Sequence, residues 1–272
     1  MSDQNGGIVE ATRSYEKWLA DRVPVVPSDL VAKHDEMAAS AFPFLRATFY
    51  RWAQRWPVVA PDAASAPALV AVGDLHVENF GTWRDAEGRL TWGVNDFDEI
   101  ARFPYTIDLV RLVTSVLLAA AEGGLDLDAK EAATAVLDGY RAALASGGRA
   151  LVLAEHDRWL RRLVSSRLRD PVRFWKAIRK LPAASGVPSG LRQSLQRALP
   201  DGVEGTSQRS RQAGRGSLGR LRVVAVGTYG GALVAREGKA VAPSAAFWAH
   251  PDLEEQPQPP PAAPPPGAIR DP

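Results

Sequence analysis

Residues 73–99 constrain the fold and the chemistry of this chain more than any other stretch, and their sequence is GDLHVENFGTWRDAEGRLTWGVNDFDE. Asp74 and Asn79 lie near the start of this segment, and Asp96 and Asp98 lie near its end. Between them, the turn sequence Asp-Ala-Glu-Gly is flanked by two β-prone stretches, which predicts a β-hairpin. Because a hairpin brings its two ends together, we expect the four polar side chains to meet in one place.

Side-chain oxygens of this kind indicate a divalent cation. Mg²⁺ prefers carboxylate and carbonyl oxygens and is usually shared with substrate phosphates. Each residue could instead be a turn or capping residue, but together they would concentrate negative charge unless a cation joined them. The pattern favours a site in which Asn79 and Asp96 hold Mg²⁺ and Asp98 serves a second ion. Asp74 would orient or deprotonate an acceptor hydroxyl.

The composition is that of a globular protein and excludes several kinds of site. The chain has 272 residues, 46% of them hydrophobic, and a net charge of +2, which implies no general attraction to nucleic acid or anionic membranes. Without cysteine there is no disulfide, thiolate metal site or cysteine nucleophile. The polar start lacks the apolar core of a signal peptide, and the longest apolar run, residues 112–121, is too short to span a bilayer. We therefore expect a soluble cytoplasmic protein.

Apolar periodicity predicts a mainly helical chain with two β regions, and hence an α+β fold. The predicted helices cover residues 29–39, 45–56, 107–122, 128–145, 151–168, 172–181 and 191–199. The predicted strands cover residues 68–72, a hairpin at 81–83 and 89–94, and a second hairpin at 221–226 and 232–236. The expected parts are an N-terminal helical extension at 1–27, a helical catalytic lobe with the metal-site hairpin at 28–200, a flexible linker at 201–215, a small β lobe at 216–250 and a disordered proline-rich tail at 251–272.

A second group of candidate residues lies far downstream of the acidic segment. Gly214, Gly216 and Gly219 form a G-x-G-x-x-G sequence that also contains Ser217, and Lys239 follows in a strand-like stretch. The order of glycine loop, strand, hairpin, strand and lysine predicts a lobe that covers nucleotide phosphates with backbone N–H groups and the lysine. A dinucleotide-binding fold would need a strand before the glycines and a helix directly after them, and neither is predicted.

One rival interpretation concerns Asp74 and His76. Dinuclear metallophosphoesterases also use Gly-Asp-x-His, but they require several more histidines in Asn-His or Gly-His settings. His34, His156 and His250 occur in none of these settings. We therefore favour phosphotransfer, in which His76 orients the loop rather than acting as a base.

These motifs resemble those of an uncharacterised bacterial family, domain of unknown function 2252, over residues 42–246. The matching sequences are FLR at 44–46, GDLH at 73–76, ENFG at 78–81, NDFDE at 95–99, GSLGR at 216–220 and KA at 239–240. That family is similar in turn to aminoglycoside phosphotransferases and protein kinases. The resemblance implies that Asp74 is the catalytic aspartate and that Asn79 and Asp96 are metal ligands. Asp108, at a predicted helix start, matches the aspartate that braces the catalytic loop.

The resemblance also implies a kinase-like, aminoglycoside-phosphotransferase-like fold with a small C-terminal β lobe. Kinases place the glycine loop and the lysine before the catalytic loop, so this chain is circularly permuted if both lobes are real. A kinase lysine pairs with a glutamate on a following helix. Here, every acid after Lys239 lies in the proline-rich tail, so we expect an incomplete nucleotide lobe.

The expected function is ATP- and Mg²⁺-dependent transfer of a phosphoryl group to a hydroxyl of a small molecule or protein. The alternative is a catalytically weak or inactive nucleotide-binding regulatory module. Arg46 and Arg220 are candidate phosphate contacts. The sequence contains no feature that specifies the acceptor or the oligomeric state.

Overall fold

The chain forms short helices and small antiparallel sheets, which confirms the α+β class. A computed structural model describes residues 6–153, 155, 158–164, 170–212, 214, 216–253 and 269–270. The helices are α1 (Ile8–Ala20), α2 (Pro27–Ala39), α3 (Ala41–Ala47), α4 (Phe49–Val59), α5 (Pro61–Ala64), α6 (Thr106–Glu122), α7 (Ala129–Ala145), α8 (Arg158–Val164), α9 (Pro171–Lys180), α10 (Ser189–Ala198) and α11 (Ala245–Ala249). The strands are β1 (Ala68–Ala71), β2 (Phe80–Arg84), β3 (Leu90–Val94), β4 (Ala101–Pro104), β5 (Leu151–Val152), β6 (Glu204–Ser210), β7 (Arg222–Tyr229), β8 (Ala232–Lys239) and β9 (Ile269–Arg270).

The main hydrophobic core joins two ends of the chain. Tyr15 of α1 stacks on Tyr50 of α4 with ring centroids 4.4 Å apart, and Trp248 of α11 lies edge-on to both rings. Helix α1 is therefore part of this core, whereas the sequence predicted only a helical extension at 1–27. Helix α11, which was not predicted, also packs here, and its residues lie in the segment predicted as a β lobe at 216–250. Both differences arise from packing between residues distant in sequence, which local periodicity does not report.

Helices α3 and α4 carry the apolar stripe predicted at 45–56, but they are separate helices. Thr48 interrupts the stripe, and its hydroxyl donates to the carbonyl oxygen of Phe44 at 2.7 Å. Helix α4 then continues through Pro57, which cannot donate to the carbonyl oxygen of Ala53. Nε2 of His250 donates to that oxygen instead, at 2.9 Å. The replacement hydrogen bond explains why the helix does not end at the proline.

The structure confirms the first hairpin. Strands β2 and β3 pair with Phe80 opposite Val94, and Asp85 closes the turn by accepting a hydrogen bond from the amide of Arg89 at 2.9 Å. Asn79 therefore lies directly before β2, and Asp96 and Asp98 lie within four residues of the end of β3. Strand β1 precedes the hairpin in sequence and strand β4 follows it, and these two strands form a separate antiparallel pair.

The second hairpin is also confirmed, and it forms a sheet in the order β6-β7-β8. Strand β6 lies within the segment predicted as a flexible linker at 201–215. Its polar sequence hides it from a search for apolar alternation. Backbone pairing with β7, such as Arg209 opposite Val224, defines the strand instead.

Both faces of this sheet are covered by helices. Val223 and Ala225 of β7 pack in one cluster with Leu195 of α10, whereas Val224 and Val226 pack in another with Ile178 of α9. Helices α9 and α10 therefore belong to the packing unit of the sheet and not to the helical lobe predicted to extend to residue 200.

One further predicted segment differs from the structure, and another lies mostly outside the described residues. The helix predicted at 151–168 starts later, because β5 first pairs with β3 and α8 follows. Most of the tail predicted at 251–272 lies outside the described residues, and its described parts are a 3₁₀ turn at Pro251–Leu253 and β9. In the part of the chain that the structure describes, no helix combines the length and apolar character needed to cross a membrane.

Candidate active site

Asp108, at the start of α6, fixes the loop that follows β1. Its two carboxylate oxygens accept hydrogen bonds from the amides of Val72 at 2.7 Å and Gly73 at 2.8 Å. Burial raises the pKa of Asp108, although the two amide donors oppose this shift. The side chain thus anchors the backbone immediately before Asp74, at the position predicted for the bracing aspartate.

Gly73 allows the turn into this loop. Its φ is +85°, and an added Cβ atom would overlap the carbonyl oxygen of Glu99. We expect Gly73→Ala to lower the free energy of unfolding by more than about 2 kcal/mol, because left-handed strain alone costs roughly 1–2 kcal/mol. Gly88→Ala is the matched control, since Gly88 has a φ of +74° and open space around it. Chemical denaturation compares the two variants, and equal losses would show that the approach of Glu99 is unimportant.

Asp74 directs one carboxylate oxygen into the protein and leaves the other accessible. Oδ1 accepts hydrogen bonds from Nε of Arg111 at 2.8 Å and from its Nη2. Arg111 is completely buried, and its Nη2 also donates to the carbonyl oxygen of Leu45 at 2.6 Å. Among the described residues, Oδ2 of Asp74 has no hydrogen-bond donor, and Nε2 of His76 is 4.0 Å away. Burial raises the pKa of Asp74 to about 7, although Arg111 opposes this shift.

His76 and Asn79 form the next part of the loop. Nδ1 of His76 accepts a hydrogen bond from the amide of Glu78 at 3.2 Å and caps the 3₁₀ turn that ends at Asn79. Burial and the nearby cations Arg46 and Arg111 lower the pKa of His76 to about 3, so its ring is neutral near pH 7. Asn79 is buried, and its Oδ1 has no hydrogen-bond partner within the described part of the chain. A buried polar atom of this kind costs free energy unless a ligand satisfies it.

The acids after β3 are paired with cations from the C-terminal part of the chain. Asp98 accepts hydrogen bonds from Nζ of Lys239 and from Nη1 of Arg220, the latter at 3.3 Å. Nη2 of Arg220 also donates to Oε1 of Glu99 at 3.2 Å. Burial favours a higher pKa for Asp98, but Lys239 and Arg220 hold that pKa below its usual range. The side chain of Asp96 is 49% exposed, and its Oδ1 is 3.9 Å from Nζ of Lys239.

These ion pairs differ from the expectation that a metal ion must neutralise the acids. Arg111 neutralises Asp74. Lys239 and Arg220 neutralise Asp98. Cations from distant parts of the sequence therefore supply the compensation, and an excess of negative charge no longer argues for a metal. Lys239 also has a carboxylate partner in place of the glutamate that a kinase lysine would use.

The G-x-G-x-x-G sequence at 214–219, called the glycine turn below, lies against the acidic loop, which comprises residues 73–79 and 95–99 on the two sides of the hairpin. A Cβ atom added to Gly216 would be 3.4 Å from Oδ2 of Asp74 and 3.2 Å from the carbonyl oxygen of Arg46. Ser217 Oγ donates to the carbonyl oxygen of Gly214 at 3.3 Å, which tightens the turn. A side chain at position 216 would therefore narrow the space in front of Asp74.

The end of the glycine sequence is attached to α2 and its preceding residues. Gly219 has a φ of +97°, and its carbonyl oxygen accepts a hydrogen bond from the amide of Val26 at 2.8 Å. A Cβ atom at Gly219 would be 2.6 Å from the side chain of Leu30. This glycine thus permits close packing on α2.

A pocket that encloses about 30 Å³ and opens to solvent lies between the acidic loop and the glycine turn. Its lining contains most of the predicted site residues, namely Arg46, Asp74, Asn79, Asp96, Asp98, Gly216, Ser217 and Arg220. Lys33 and Glu99 also line it. A second pocket that encloses about 70 Å³ shares several of these residues and is also lined by His76 and Gly214. Two groups of residues that are far apart in sequence therefore form one site.

The two arginines predicted to contact phosphate both have carboxylate partners. Arg46 lines the pocket and pairs with Glu78, whose side chain is 51% exposed. Arg220 is buried, and its two Nη atoms bond Asp98 and Glu99. Arg220 is thus placed to connect the acidic loop to the β7–β8 hairpin.

The oxygens that remain in the pocket fit a magnesium ion with few protein ligands. Oδ1 of Asn79 is without a partner and Asp96 is half exposed, and both residues line the pocket. No group of three or more His, Asp or Glu side chains within the described ranges is arranged to hold a metal ion. Mg²⁺ commonly takes one or two protein carboxylates and completes its shell with water and phosphates. Asn79 and Asp96 fit such an ion, whereas Asp98 is occupied by two cations.

Arg111, Glu99 and Lys33 were not predicted as site residues. Arg111 lies one helical turn after Asp108 inside an apolar stretch. A charged residue in such a stretch was the sequence signal that could have identified it as a site residue. Glu99 belongs to the quoted motif, but its hydrogen bond from the amide of Ala245 at 2.6 Å depends on long-range packing. Lys33 had no local signal.

A model of a family described as uncharacterized proteins conserved in bacteria (DUF2252) matches residues 22–174. The matched region contains Asp74, Asn79 and Asp96, but it ends before the glycine turn and Lys239, which the resemblance quoted above had included. Comparisons with curated proteins and with solved structures gave no match. Because the matched region is more than half of the sequence, this chain belongs to the DUF2252 family of uncharacterized bacterial proteins.

Proposed function

We propose that this chain is an ATP- and Mg²⁺-dependent phosphotransferase that acts on a hydroxyl group, with a kinase-like and circularly permuted arrangement of its parts. The supporting observation is the environment of Asp74. Asp108 braces the preceding backbone, and Arg111 holds Oδ1. Oδ2 lies against the glycine turn in a pocket that it shares with Asn79 and Asp96.

In the proposed reaction, Asp74 acts as the general base. The acceptor oxygen attacks the γ-phosphorus of ATP while Oδ2 of Asp74 takes the hydroxyl proton. The bond between the γ-phosphorus and the bridging oxygen breaks, and ADP leaves with the electron pair. Because Arg111 occupies Oδ1, proton transfer uses Oδ2. Mg²⁺ held by Asn79 and Asp96 would neutralise charge on the phosphate oxygens.

A nucleotide-binding regulatory module with little or no catalysis is the second candidate. It is favoured by the engagement of Lys239 and Arg220 with Asp98, because neither cation is then unpaired to stabilise charge on a phosphoryl group in transfer. The two candidates share nucleotide binding and differ in turnover.

We expect ATP to raise the melting temperature of the protein, and Mg²⁺ to increase that rise. A ligand at about 100 times its Kd stabilises a protein by about 2.7 kcal/mol. Asp96→Asn should remove the Mg²⁺-dependent part of the rise because it removes a carboxylate from the metal site. Asp138→Asn, which changes an exposed carboxylate on α7, should not. Thermal denaturation with and without Mg²⁺ measures this difference, and a wild-type protein that no nucleotide stabilises would contradict both candidates.

A further inference from the structure

Lys33 is a buried lysine in the wall of the pocket. It lies on α2, its exposed fraction is 3%, and it lines the pocket together with Asp74 and Gly216. Its Nζ is 5.9 Å from the ring centroids of both Tyr15 and Tyr50, which is the outer limit of a cation–π contact. Within the described ranges, no carboxylate pairs with this ammonium group. Glu16, Glu99 and Asp74 favour its charge only from beyond ion-pair distance.

The other cations around the pocket have carboxylate partners. Arg111 bonds Asp74, and Lys239 bonds Asp98. A buried charge without a partner costs free energy, and lysine usually escapes this cost by placing its ammonium group in water. Burial and the nearby Arg220 lower the pKa of Lys33 to about 8, so most of the molecules still carry the charge near pH 7. A protonated lysine held in this way is suited to an anionic ligand.

The glycine turn is the feature of the pocket that indicates which anion would bind. Gly216 brings backbone close to Asp74 Oδ2, where a side chain would fill the space. The three acids that act on Lys33 each have another partner: Glu16 bonds His34, Asp74 is paired with Arg111, and Glu99 is paired with Arg220. The pocket encloses about 30 Å³, room for about two waters, and is open to solvent, so a bound anion must extend out of it. A chain of phosphate groups can place one anionic end at Lys33 while the rest extends into solvent, which agrees with both the open pocket and its charge.

We infer that Lys33, rather than Lys239, is the cation that binds phosphate oxygens of a polyphosphate ligand in this pocket. This inference rests on the proposed function only in taking the polyphosphate to be that of ATP. Lys239 then has a different task, which is to hold Asp98 and, through it, the acidic loop against β8.

The test measures binding of inorganic tripolyphosphate, and separately of ATP, by titration calorimetry on the full chain. Lys33→Met keeps most of the length of the side chain and removes its charge, and Lys33→Gln is a second neutral variant. We expect each to weaken tripolyphosphate binding by about 10- to 100-fold, because one charge-assisted contact is lost. Lys17→Met removes an exposed positive charge from α1 and should leave the affinity unchanged at matched ionic strength.

Thermal denaturation of the ligand-free proteins supplies an independent readout. Removal of an unpaired buried charge should raise the melting temperature of Lys33→Met by at least about 2 °C. A variant that is more stable but binds tripolyphosphate more weakly would establish a binding role. A variant that is less stable and binds with wild-type affinity would overturn the inference, as would a wild-type protein that binds neither ligand.

The outcomes also separate this inference from the proposed function. Binding of tripolyphosphate that depends on Lys33, in a protein that never transfers phosphate, would support the inference and reject the phosphotransferase. Phosphotransfer that continues unchanged in Lys33→Met, with unchanged ATP affinity, would support the enzyme and reject the role of Lys33.

Discussion

Asp74→Asn is expected to reduce phosphotransfer by about 10²–10⁴-fold, the usual contribution of a general base. The asparagine carbonyl oxygen can still accept a hydrogen bond from Nε of Arg111, but its amide group cannot take a proton from the acceptor hydroxyl. The wild-type rate should also fall as the pH drops below about 7, because burial raises the pKa of Asp74 to about 7 and a base acts only when it is ionised. Steady-state rates against pH measure both effects.

A loss of activity in Asp74→Asn is attributed to catalysis only if the variant still folds and binds nucleotide as the wild type does. Circular dichroism and the melting temperature report folding, and calorimetry reports ATP binding, which should persist because Asp74 is not placed to bind the nucleotide. Activity that survives in Asp74→Asn would reject Asp74 as the base.

Arg111→Met is expected to lower the free energy of unfolding by about 3–5 kcal/mol near neutral pH, the usual cost of leaving one member of a buried ion pair without its partner. Arg111 is completely buried, and it bonds both Asp74 and the carbonyl oxygen of Leu45. It also lies over the rings of Phe49 and Trp52, so a methionine retains part of the packing. Urea denaturation monitored by tryptophan fluorescence measures the loss.

The pH dependence of this loss follows from Asp74. Its carboxyl group has a higher pKa in the folded chain, about 7, than the ordinary value of 3.8, so it destabilises the fold as the pH rises between these values. Arg111 limits that destabilisation. Without Arg111 the pKa of Asp74 rises further, and the difference between wild type and Arg111→Met should be larger at about pH 8 than at about pH 5. A difference that is constant with pH would mean that Arg111 acts through packing alone.

A double variant isolates the ion pair. Asp74→Asn combined with Arg111→Met removes both charges, and we expect it to be more stable than Arg111→Met alone because no carboxylate remains unpaired. Equal stability of the two proteins would contradict the assignment of the loss to an unpaired Asp74.

The parts of the site that lie within one hairpin could be predicted from sequence. The turn at Asp85 sets the pairing of β2 with β3, and this pairing places Asn79 beside the residues that follow β3. The resemblance also matched Asp108 to an aspartate that braces the catalytic loop, but it did not specify the amides of Val72 and Gly73 as its partners.

The partners of the acids could not be predicted in this way. Lys239 and Arg220 reach Asp98 from a hairpin more than a hundred residues later, and no local period or turn sequence encodes that distance. Strand β6 was missed for a related reason, since its polar side chains carry no alternation and its backbone pairing specifies it. Lys33 is buried on a helix whose sequence also suits an exposed surface.

The most direct test of the central claim is the amount of ADP formed from ATP by the purified chain with Mg²⁺, with Asp74→Asn measured in parallel. Slow transfer to water can replace an unknown acceptor, so the assay does not require the natural substrate. The account predicts Mg²⁺-dependent ADP formation by the wild type and little above background by Asp74→Asn. ADP formation at the same rate by both proteins, or none by a wild-type protein that binds ATP and has been supplied with a broad set of hydroxyl acceptors, would contradict it.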